Sequence, residues 1–235
     1  ISEQAVSYAA NLANRQPDPS DAKNAFLSFA LDQIHKEIAA RPKDARIYLQ
    51  ASLAYRAAGD LEDSLKTTQT ALALSPTKQQ IFIEEGTTLW QLGRNKEASD
   101  AYQKAYELDT TNADAAAYAA AGDFETGNAA AGRALLMQHY GTTVVDNDVL
   151  LYTYYQLKMY DDMIGIFALR YKNTGSADAG YRLASAYATV GRYSEARATI
   201  EEVLKNHPES STTGQQLLSQ LQGRRPFANP SRFAL

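Results

Sequence analysis

The chain has no cysteine among its 235 residues, which excludes disulfide bonds and thiolate metal sites. It has only 7 prolines and 13 glycines, the two residues least suited to helix interiors, which favours a helical chain. It also has no run of about 18 apolar residues, so the sequence predicts no membrane-spanning helix. With a net charge of −4 and a pI near 5.4, it lacks the basic surface that nucleic-acid binding needs.

Catalytic and metal-binding motifs are missing as well. His35, His139 and His207 are far apart in the sequence, and none of them has a second ligand at helical spacing. Residues 146–148 (Asp-Asn-Asp) are compatible with part of a cation loop, but the glycine and the distal glutamate of a calcium loop are absent. We expect a helix N-cap there instead. The sequence therefore predicts no enzymatic activity, no cofactor and no metal site.

Regularly spaced turns are the main feature that is present. Gly59, Gly93 and Gly127 recur every 34 residues, and Met159 and Gly191 follow at intervals of 32. A glycine at such a position ends a helix because it adopts the left-handed conformation that other residues reach only at a cost. A period of about 34 residues is typical of proteins built from repeated helix pairs.

The residues around the turns repeat too. The first copy contains Tyr48, Ala51, Ser52, Tyr55 and Gly59, and the second contains Phe82, Glu85, Gly86, Leu89 and Gly93. This pattern resembles the tetratricopeptide repeat over about residues 45–208. The resemblance implies an all-α fold, a right-handed solenoid of antiparallel helix pairs, and a role in holding another molecule rather than in catalysis.

Small residues are expected where the two helices of each pair cross closely. They stand five positions after the turn, at Ser64, Ala98, Gly132 and Ala196. A bulky side chain there would hold the helices apart. Gly180 departs from the family pattern, since a large aromatic residue is usual at its position.

The repeats define a plan for the whole chain. Residues 1–44 are predicted to form an N-terminal capping helix pair, with helices at about 4–14 and 22–40. Five repeats follow at 45–78, 79–112, 113–144, 145–176 and 177–208, and repeats three and four are the most divergent. Residues 209–223 are predicted to contain a closing helix at 211–222, and residues 224–235 an extended tail. A solenoid grows by stacking and needs no internal boundary.

The resemblance also implies a partner-binding groove, because the first helix of each pair lines the concave surface in this family. The expected groove residues are Gln80, Glu84, Thr87, Trp90, Gln91, Tyr118, Thr153, Tyr181, Arg182 and Ser185. Trp90, the only tryptophan, has two interpretations. It is either an aromatic anchor for a partner or a packing residue against the next repeat.

One specific function of the family can be tested on these positions. Chaperone-binding members grip the C-terminal carboxylate of a peptide with lysine and asparagine. The matching positions here are acidic, apolar or aromatic: Leu49, Leu53, Glu84, Asp114 and Tyr118. Because acidic side chains repel a carboxylate, we reject a carboxylate clamp.

A narrower resemblance lies in three short phrases, residues 74–81 (LSPTKQQI), 105–109 (AYELD) and 223–226 (GRRP). They are similar to the tetratricopeptide domain that ends some bacterial membrane proteins of the O-antigen ligase and polymerase family. The catalytic residues of that family lie in its membrane part, so none is carried over to this chain. The resemblance implies a soluble domain tethered to the cytoplasmic membrane, on a side that stays open. Because Ile1 follows no initiator methionine or signal peptide, we expect a fragment or a processed chain.

Three hypotheses for function remain. The first is a non-catalytic protein-interaction scaffold that is the soluble domain of a membrane glycan polymerase or ligase. The second is a freestanding adaptor that binds a peptide segment in the groove, and the third is a carbohydrate-binding solenoid with a glycan stacked on aromatic residues. Exposed tyrosines such as Tyr154 and Tyr160 are compatible with self-association or with packing between divergent repeats.

Overall fold

The computed structural model describes residues 21–223. All regular secondary structure in this part of the chain is helical, and turns and loops join the helices. The first seven α-helices are α1 (Asp21–Ala40), α2 (Ala45–Ala58), α3 (Leu61–Leu74), α4 (Gln79–Gln91), α5 (Asn95–Leu108), α6 (Ala113–Glu125) and α7 (Ala129–Tyr140). The remaining ones are α8 (Asp148–Gln156), α9 (Tyr160–Thr174), α10 (Ala177–Thr189), α11 (Tyr193–Asn206) and α12 (Ser211–Gln222). A 3-10 helix, Pro208–Ser210, precedes α12.

The all-α prediction is confirmed for the described residues. Each of the five predicted repeat ranges contains one helix pair, from α2 and α3 to α10 and α11, and the closing helix 211–222 is observed as α12. The division into five repeats as such stays a prediction. The predicted helix at 4–14 and the tail 224–235 lie outside the described residues. Among residues 21–223, no helix combines the length and the apolar character that crossing a bilayer requires.

The turn prediction is confirmed at four glycines and wrong at one position. Gly59, Gly93, Gly127 and Gly191 all have left-handed backbone, with φ between 74° and 84°. In the fourth repeat, however, the left-handed residue is Lys158, with φ of 57°, and not Met159. Met159 instead caps the N-terminus of α9. Because this turn contains a lysine where the other turns have glycine, the spacing of the glycines could not locate the turn.

Side-chain caps explain where several helices begin. Asp60 accepts a hydrogen bond from the Asp63 backbone N–H, and Asn112 accepts one from Ala115. Asn147 accepts bonds from the N–H groups of Val149 and Leu150, which confirms the N-cap expected within residues 146–148. These caps satisfy backbone donors that the first turn of a helix leaves without partners.

The expected small residues do lie at close helix crossings. Ser64 and Ala196 are fully buried, and Ala98 is 1% exposed. A β-carbon on Gly132 would come within 3.0 Å of the Ala120 carbonyl oxygen and of the Phe124 ring. The helix that α7 meets, α6, is rich in alanine and buried on almost all sides, which is possible because small side chains let neighbouring helices approach.

The chain divides into two compact units that the sequence did not predict. The N-terminal unit ends at His139 and the C-terminal unit begins at Tyr140. The division falls in the divergent third repeat, next to residues 141–147, which form no helix. Tyr154, expected to be exposed, is fully buried in the C-terminal unit, whereas Tyr160 is half-buried. The sequence pattern misplaced Tyr154 because the fourth repeat departs from the family spacing.

Gly180 replaces the usual aromatic residue because other side chains already fill the space. A β-carbon there would lie 2.3 Å from Cγ2 of Val203 and 2.9 Å from the ring of Tyr171. Val203 is fully buried, so it cannot move aside. Gly165, on the neighbouring helix α9, has only an ordinary contact at 3.4 Å, with Val144.

We expect Gly180→Ala to lower the free energy of unfolding of the C-terminal unit by about 1–3 kcal/mol, because the added methyl group overpacks the site. The matched control Gly165→Ala should be neutral or stabilising by up to about 1 kcal/mol, since alanine favours helix more than glycine does. Urea unfolding followed by circular dichroism measures both. Equal effects of the two variants would contradict this account of Gly180.

Candidate partner-binding site

A buried polar network joins α2, α3 and α4 in the N-terminal unit. The Ser52 hydroxyl hydrogen-bonds to the hydroxyls of Ser64, at 3.0 Å, and of Thr68. Ser64 also pairs with Thr88, at 3.1 Å. All four side chains are fully buried. Polar groups in such a position stabilise the fold only when they are hydrogen-bonded, and here they satisfy one another.

The network ends at a buried ion pair between Glu84 on α4 and Arg56 on α2. Arg56 Nε donates to Glu84 Oε1 at 2.8 Å and Arg56 Nη2 donates to Oε2 at 3.2 Å, so the pair is bidentate. Ser52 donates to the same carboxylate at 3.3 Å. The Glu84 side chain is 4% exposed and that of Arg56 is 26% exposed. The carboxylate therefore lies below the surface, and the guanidinium reaches it.

Burial raises the pKa of the Glu84 carboxyl, while the guanidinium of Arg56 and the Ser52 hydroxyl oppose that shift. Burial also disfavours the charge of Arg56, but Glu84 and two nearby phenols outweigh it, so the pKa of Arg56 is raised. Arg56 thus stays positively charged at any ordinary pH.

Two tyrosines complete the cluster beside the ion pair. The rings of Tyr102 on α5 and Tyr118 on α6 are 5.1 Å apart between centroids. Tyr102 donates to the Thr87 hydroxyl at 3.4 Å. Burial raises the pKa of both phenols, so both keep their protons at neutral pH. Gly86 makes room for this arrangement, because a β-carbon there would come within 2.4 Å of the Tyr102 ring.

We call this set, Arg56, Glu84, Thr87, Tyr102 and Tyr118, the polar cluster. Glu84 and Tyr102 are buried, whereas Arg56, Thr87 and Tyr118 are partly exposed. The three partly exposed side chains come from α2, α4 and α6, which are the first helices of three successive pairs. These helices are neighbours, with α2 in contact with α4 and α4 in contact with α6.

The structure brings together three of the residues that the sequence assigned to a groove, Glu84, Thr87 and Tyr118. Glu84 lies below the surface, so its charge meets Arg56 before it can meet a ligand. Gln80 and Gln91, on the same helix, are exposed. The assignment of the ten residues to a groove stays a prediction.

Sequence reasoning missed Arg56 and Tyr102. Arg56 occupies in the first repeat the position that Trp90 occupies in the second, so the groove register extended by one repeat would have found it. Tyr102 lies on a second helix, α5, which that register does not cover.

The contacts of Trp90 fit the second of its two interpretations, that of a residue packed within the protein. It is half-buried against a core cluster that includes Leu89 and Tyr102. Burial raises the pKa of the Glu125 carboxyl on α6, and the nearby Trp90 indole opposes that shift. The indole thus packs within the protein, and a role of Trp90 in partner binding stays a prediction.

The predicted groove residues of the C-terminal unit have other contacts. Thr153 is 3% exposed, and Tyr181 is 9% exposed with its hydroxyl 2.7 Å from Ser210 Oγ, which ties α10 to the segment before α12. Arg182 is exposed and paired with Asp178 at 2.8 Å. Ser185 donates to the Tyr181 carbonyl. Of these four predicted groove residues, only the exposed Arg182 and the half-buried Ser185 are accessible to a partner.

The two carboxylates of the segment 146–148 bind an arginine side chain of the protein. Arg170 Nε donates to Asp146 at 2.6 Å, and Arg170 Nη2 donates to Asp148. The guanidinium thus lies where a loop of this kind would otherwise hold a cation. Among residues 21–223, no group of three or more acidic or histidine side chains is arranged to hold a metal ion.

Two surface depressions lie away from the polar cluster. One is lined by residues 41–46 together with Leu74 and Ser75, and its arginines, Arg41 and Arg46, are already paired with Asp44. The other lies between α1 and Ala58. Neither combines partly exposed side chains from several first helices, which is why we assign the candidate site to the polar cluster.

Comparison with known proteins identifies the repeats. The tetratricopeptide repeat family model matches residues 80–112 and 177–209, which contain α4 with α5 and α10 with α11. No curated protein matches the chain.

Solved structures that are similar to this chain show low sequence identity. The C-terminal part of a tetratricopeptide repeat-containing protein from Cytophaga hutchinsonii is 19% identical, with a TM-score of 0.56 over 92% of this chain and 84% of that one. The Cut9–Hcn1 hetero-tetramer of the APC/C is 16% identical, with a TM-score of 0.55 over 94% of this chain and 46% of that one, so this chain spans less than half of that protein. MamA is 19% identical, with a TM-score of 0.42 over 83% of this chain and 98% of that one. The fold is that of a tetratricopeptide-repeat solenoid.

We expect Arg56→Met to lower the free energy of unfolding by about 3 kcal/mol at pH 7, because it leaves the buried Glu84 carboxylate without its counter-charge. The double variant Arg56→Met/Glu84→Leu should recover most of that loss, since both charges are gone and apolar groups fill the space. Urea unfolding of the wild type, both single variants and the double variant completes the cycle.

The pH dependence gives this prediction its control. Without Arg56, the Glu84 pKa rises further above its ordinary value of 4.5, so the folded variant binds a proton that the unfolded chain releases. Its stability should therefore fall as pH rises from about 4.5 through the folded-state pKa, and the double variant should lack this dependence. A loss in Arg56→Met that is the same at all pH values would contradict the ion-pair account.

Proposed function

We propose that this chain, which has a tetratricopeptide-repeat fold, is a non-catalytic protein-interaction scaffold that holds an extended peptide segment across α2, α4 and α6. The observation that carries the proposal is that Arg56, Thr87 and Tyr118 are all partly exposed and come from three neighbouring helices. Contacts through Glu84 and Tyr102 join them in one cluster. Each of the three side chains can hydrogen-bond. Arg56 and Thr87 are held by hydrogen bonds within the protein, and the Tyr118 ring packs beside that of Tyr102.

The surroundings of the polar cluster suit a peptide. Leu53 and Leu49, one and two turns before Arg56 on α2, are half-buried and offer apolar contact area. Gln80 and Gln91 on α4 are exposed and can hydrogen-bond to main-chain groups. Sites that bind peptides or small ligands combine a mostly apolar lining with a few fixed polar groups, which is the combination found here.

The chemistry of the polar cluster favours binding over catalysis. The Glu84 carboxylate is committed to Arg56, and the Thr87 hydroxyl donates to the Ile83 carbonyl oxygen at 2.8 Å. No group in the cluster is therefore positioned as a general base beside a nucleophile, which acyl or phosphoryl transfer would require. What the cluster offers a ligand is hydrogen bonding in a fixed geometry.

A narrower hypothesis places this scaffold in a membrane glycan polymerase or ligase of the O-antigen type. It is supported by the three short phrases at residues 74–81, 105–109 and 223–226. The first two lie at helix ends and inter-helix turns, where repeats of this fold resemble one another. The freestanding adaptor is the alternative, and the two differ in the size of the native protein.

Selection of short peptides from a random phage-displayed library on the immobilised chain tests the scaffold function. We expect selected peptides to bind, and we expect Thr87→Arg to weaken their binding at least about tenfold, since a long charged side chain at the centre of the polar cluster blocks the surface. Fluorescence anisotropy of a labelled peptide measures the affinity, and circular dichroism verifies the fold of the variant.

Thr70→Arg is the matched control. Thr70 donates to the carbonyl four residues before it, as Thr87 does, but it lies on the second helix α3. This variant should bind like the wild type. If Thr87→Arg and Thr70→Arg bound equally well, the surface of α2, α4 and α6 would not be the binding site.

The size of the native protein distinguishes the narrower hypothesis from the adaptor. An antibody raised against this chain should detect, in membrane fractions of the source cells, a protein much larger than 25.8 kDa if the chain is part of a membrane glycan enzyme. A band near 25.8 kDa in the soluble fraction would contradict that hypothesis and favour the adaptor.

A further inference from the structure

We propose that residues 224–235 of one copy of this chain bind across α2, α4 and α6 of a second copy. This inference rests on the proposed function, because it names an occupant for the same surface. Two observations carry it. One is the charge of the surface, and the other is the composition of the segment.

The surface that α4 and α6 contribute is acidic. On α2, both arginines are already paired, Arg46 with Asp44 and Arg56 with Glu84. The helices α4 and α6 contain no basic residue. They do contain five carboxylates, those of Glu84, Glu85, Asp114, Asp123 and Glu125. Once Glu84 is neutralised by Arg56, the three helices together keep an excess of negative charge.

Two of these carboxylates lack a positive partner. Asp114 and Glu125 are four residues before and seven residues after Tyr118, and such positions share one side of a helix. Asp114 is exposed and forms no ion pair within residues 21–223. Glu125 is half-buried, its Oε1 has no hydrogen-bond partner there, and its Oε2 lies 3.4 Å from the amide nitrogen of Asn95. As the last residue of α6, Glu125 also stands where the helix dipole disfavours a negative charge. A basic ligand would supply the missing charge.

The segment 224–235 (RRPFANPSRFAL) has the complementary composition. It lies outside the described residues, and its composition is read from the sequence. It contains three arginines and no acidic residue, although the whole chain has a net charge of −4. No other part of the chain has three basic residues within twelve positions without an acid among them. Its arginines can pair with Asp114 and Glu125, and its two phenylalanines can pack on the half-buried Leu49 and Leu53.

The segment is also long enough to cross the surface. Packed helices lie about 8–10 Å apart, so α2, α4 and α6 span about 20 Å. Its twelve residues reach up to about 40 Å when extended. The segment can therefore contact all three helices and still connect to the copy that carries it.

Complementary variants test this exchange between copies. Arg224→Glu/Arg225→Glu/Arg232→Glu reverses the charge of the segment, and Thr87→Arg blocks the surface. In sedimentation velocity, the wild type should associate at concentrations up to about 1 mM, and each variant alone should associate at least about tenfold more weakly. A mixture of the two variants should form dimers, because one retains the surface and the other retains the segment.

Further variants separate the segment from general charge effects. Asp114→Lys changes an exposed side chain and should also weaken association. The control Lys66→Glu/Lys96→Glu/Lys104→Glu changes the net charge as much as the segment variant does, but on α3 and α5, and should associate like the wild type. Association of the wild type should weaken as salt is raised from about 0.05 to 0.5 M, since salt screens opposite charges. Circular dichroism verifies the fold of each variant.

The outcomes separate this inference from the proposed function. If selected peptides bind on α2, α4 and α6 but the wild type stays monomeric at the highest concentration, the inference is wrong and the scaffold function stands. If no selected peptide binds and the wild type stays monomeric, both are wrong. If the segment variant or Thr87→Arg associates like the wild type, or if the lysine control weakens association equally, the copies meet in another way and the inference is wrong. Failure of the mixed variants to form dimers would also contradict it.

Discussion

The ion pair between Glu84 and Arg56 is the interaction on which the candidate site depends. A carboxylate that is 4% exposed is tolerated only when a counter-charge and hydrogen bonds replace the water it has lost. Arg56 supplies the charge, and Ser52 supplies a further hydrogen bond from the network with Ser64, Thr68 and Thr88. The buried Glu84 carboxylate needs a counter-charge, and its pairing with Arg56 fixes α2 against α4 and holds the guanidinium in one orientation.

This arrangement converts a requirement of folding into a binding surface. Because Arg56, Thr87 and Tyr118 are held by contacts within the protein, a ligand need not order them, and less conformational entropy is lost on binding. The pairing with Glu84 neutralises Arg56, so the carboxylates of α6 give the surface its charge. A basic extended segment is the ligand that such a surface suits.

The sequence predicted features that depend on local backbone and on close helix crossings. The left-handed glycines and the small residues at Ser64, Ala98 and Ala196 are examples, since each position has a packing demand that few residue types meet. Features that depend on side chains from other helices were missed. The space that Val203 and Tyr171 take from Gly180, and the pairing of Glu84 with Arg56, become visible only when helices are placed beside one another. The exposure of Tyr154 and the turn at Met159 were wrongly predicted because repeat four follows the pattern poorly.

Hydrogen–deuterium exchange of the chain with and without a selected peptide tests the central claim most directly. The account predicts that the peptide slows exchange in α2, α4 and α6 around Arg56, Thr87 and Tyr118, and leaves α3 and α5 unchanged. Protection confined to α3 and α5, or to the C-terminal unit, would contradict the assignment of the binding surface to the polar cluster.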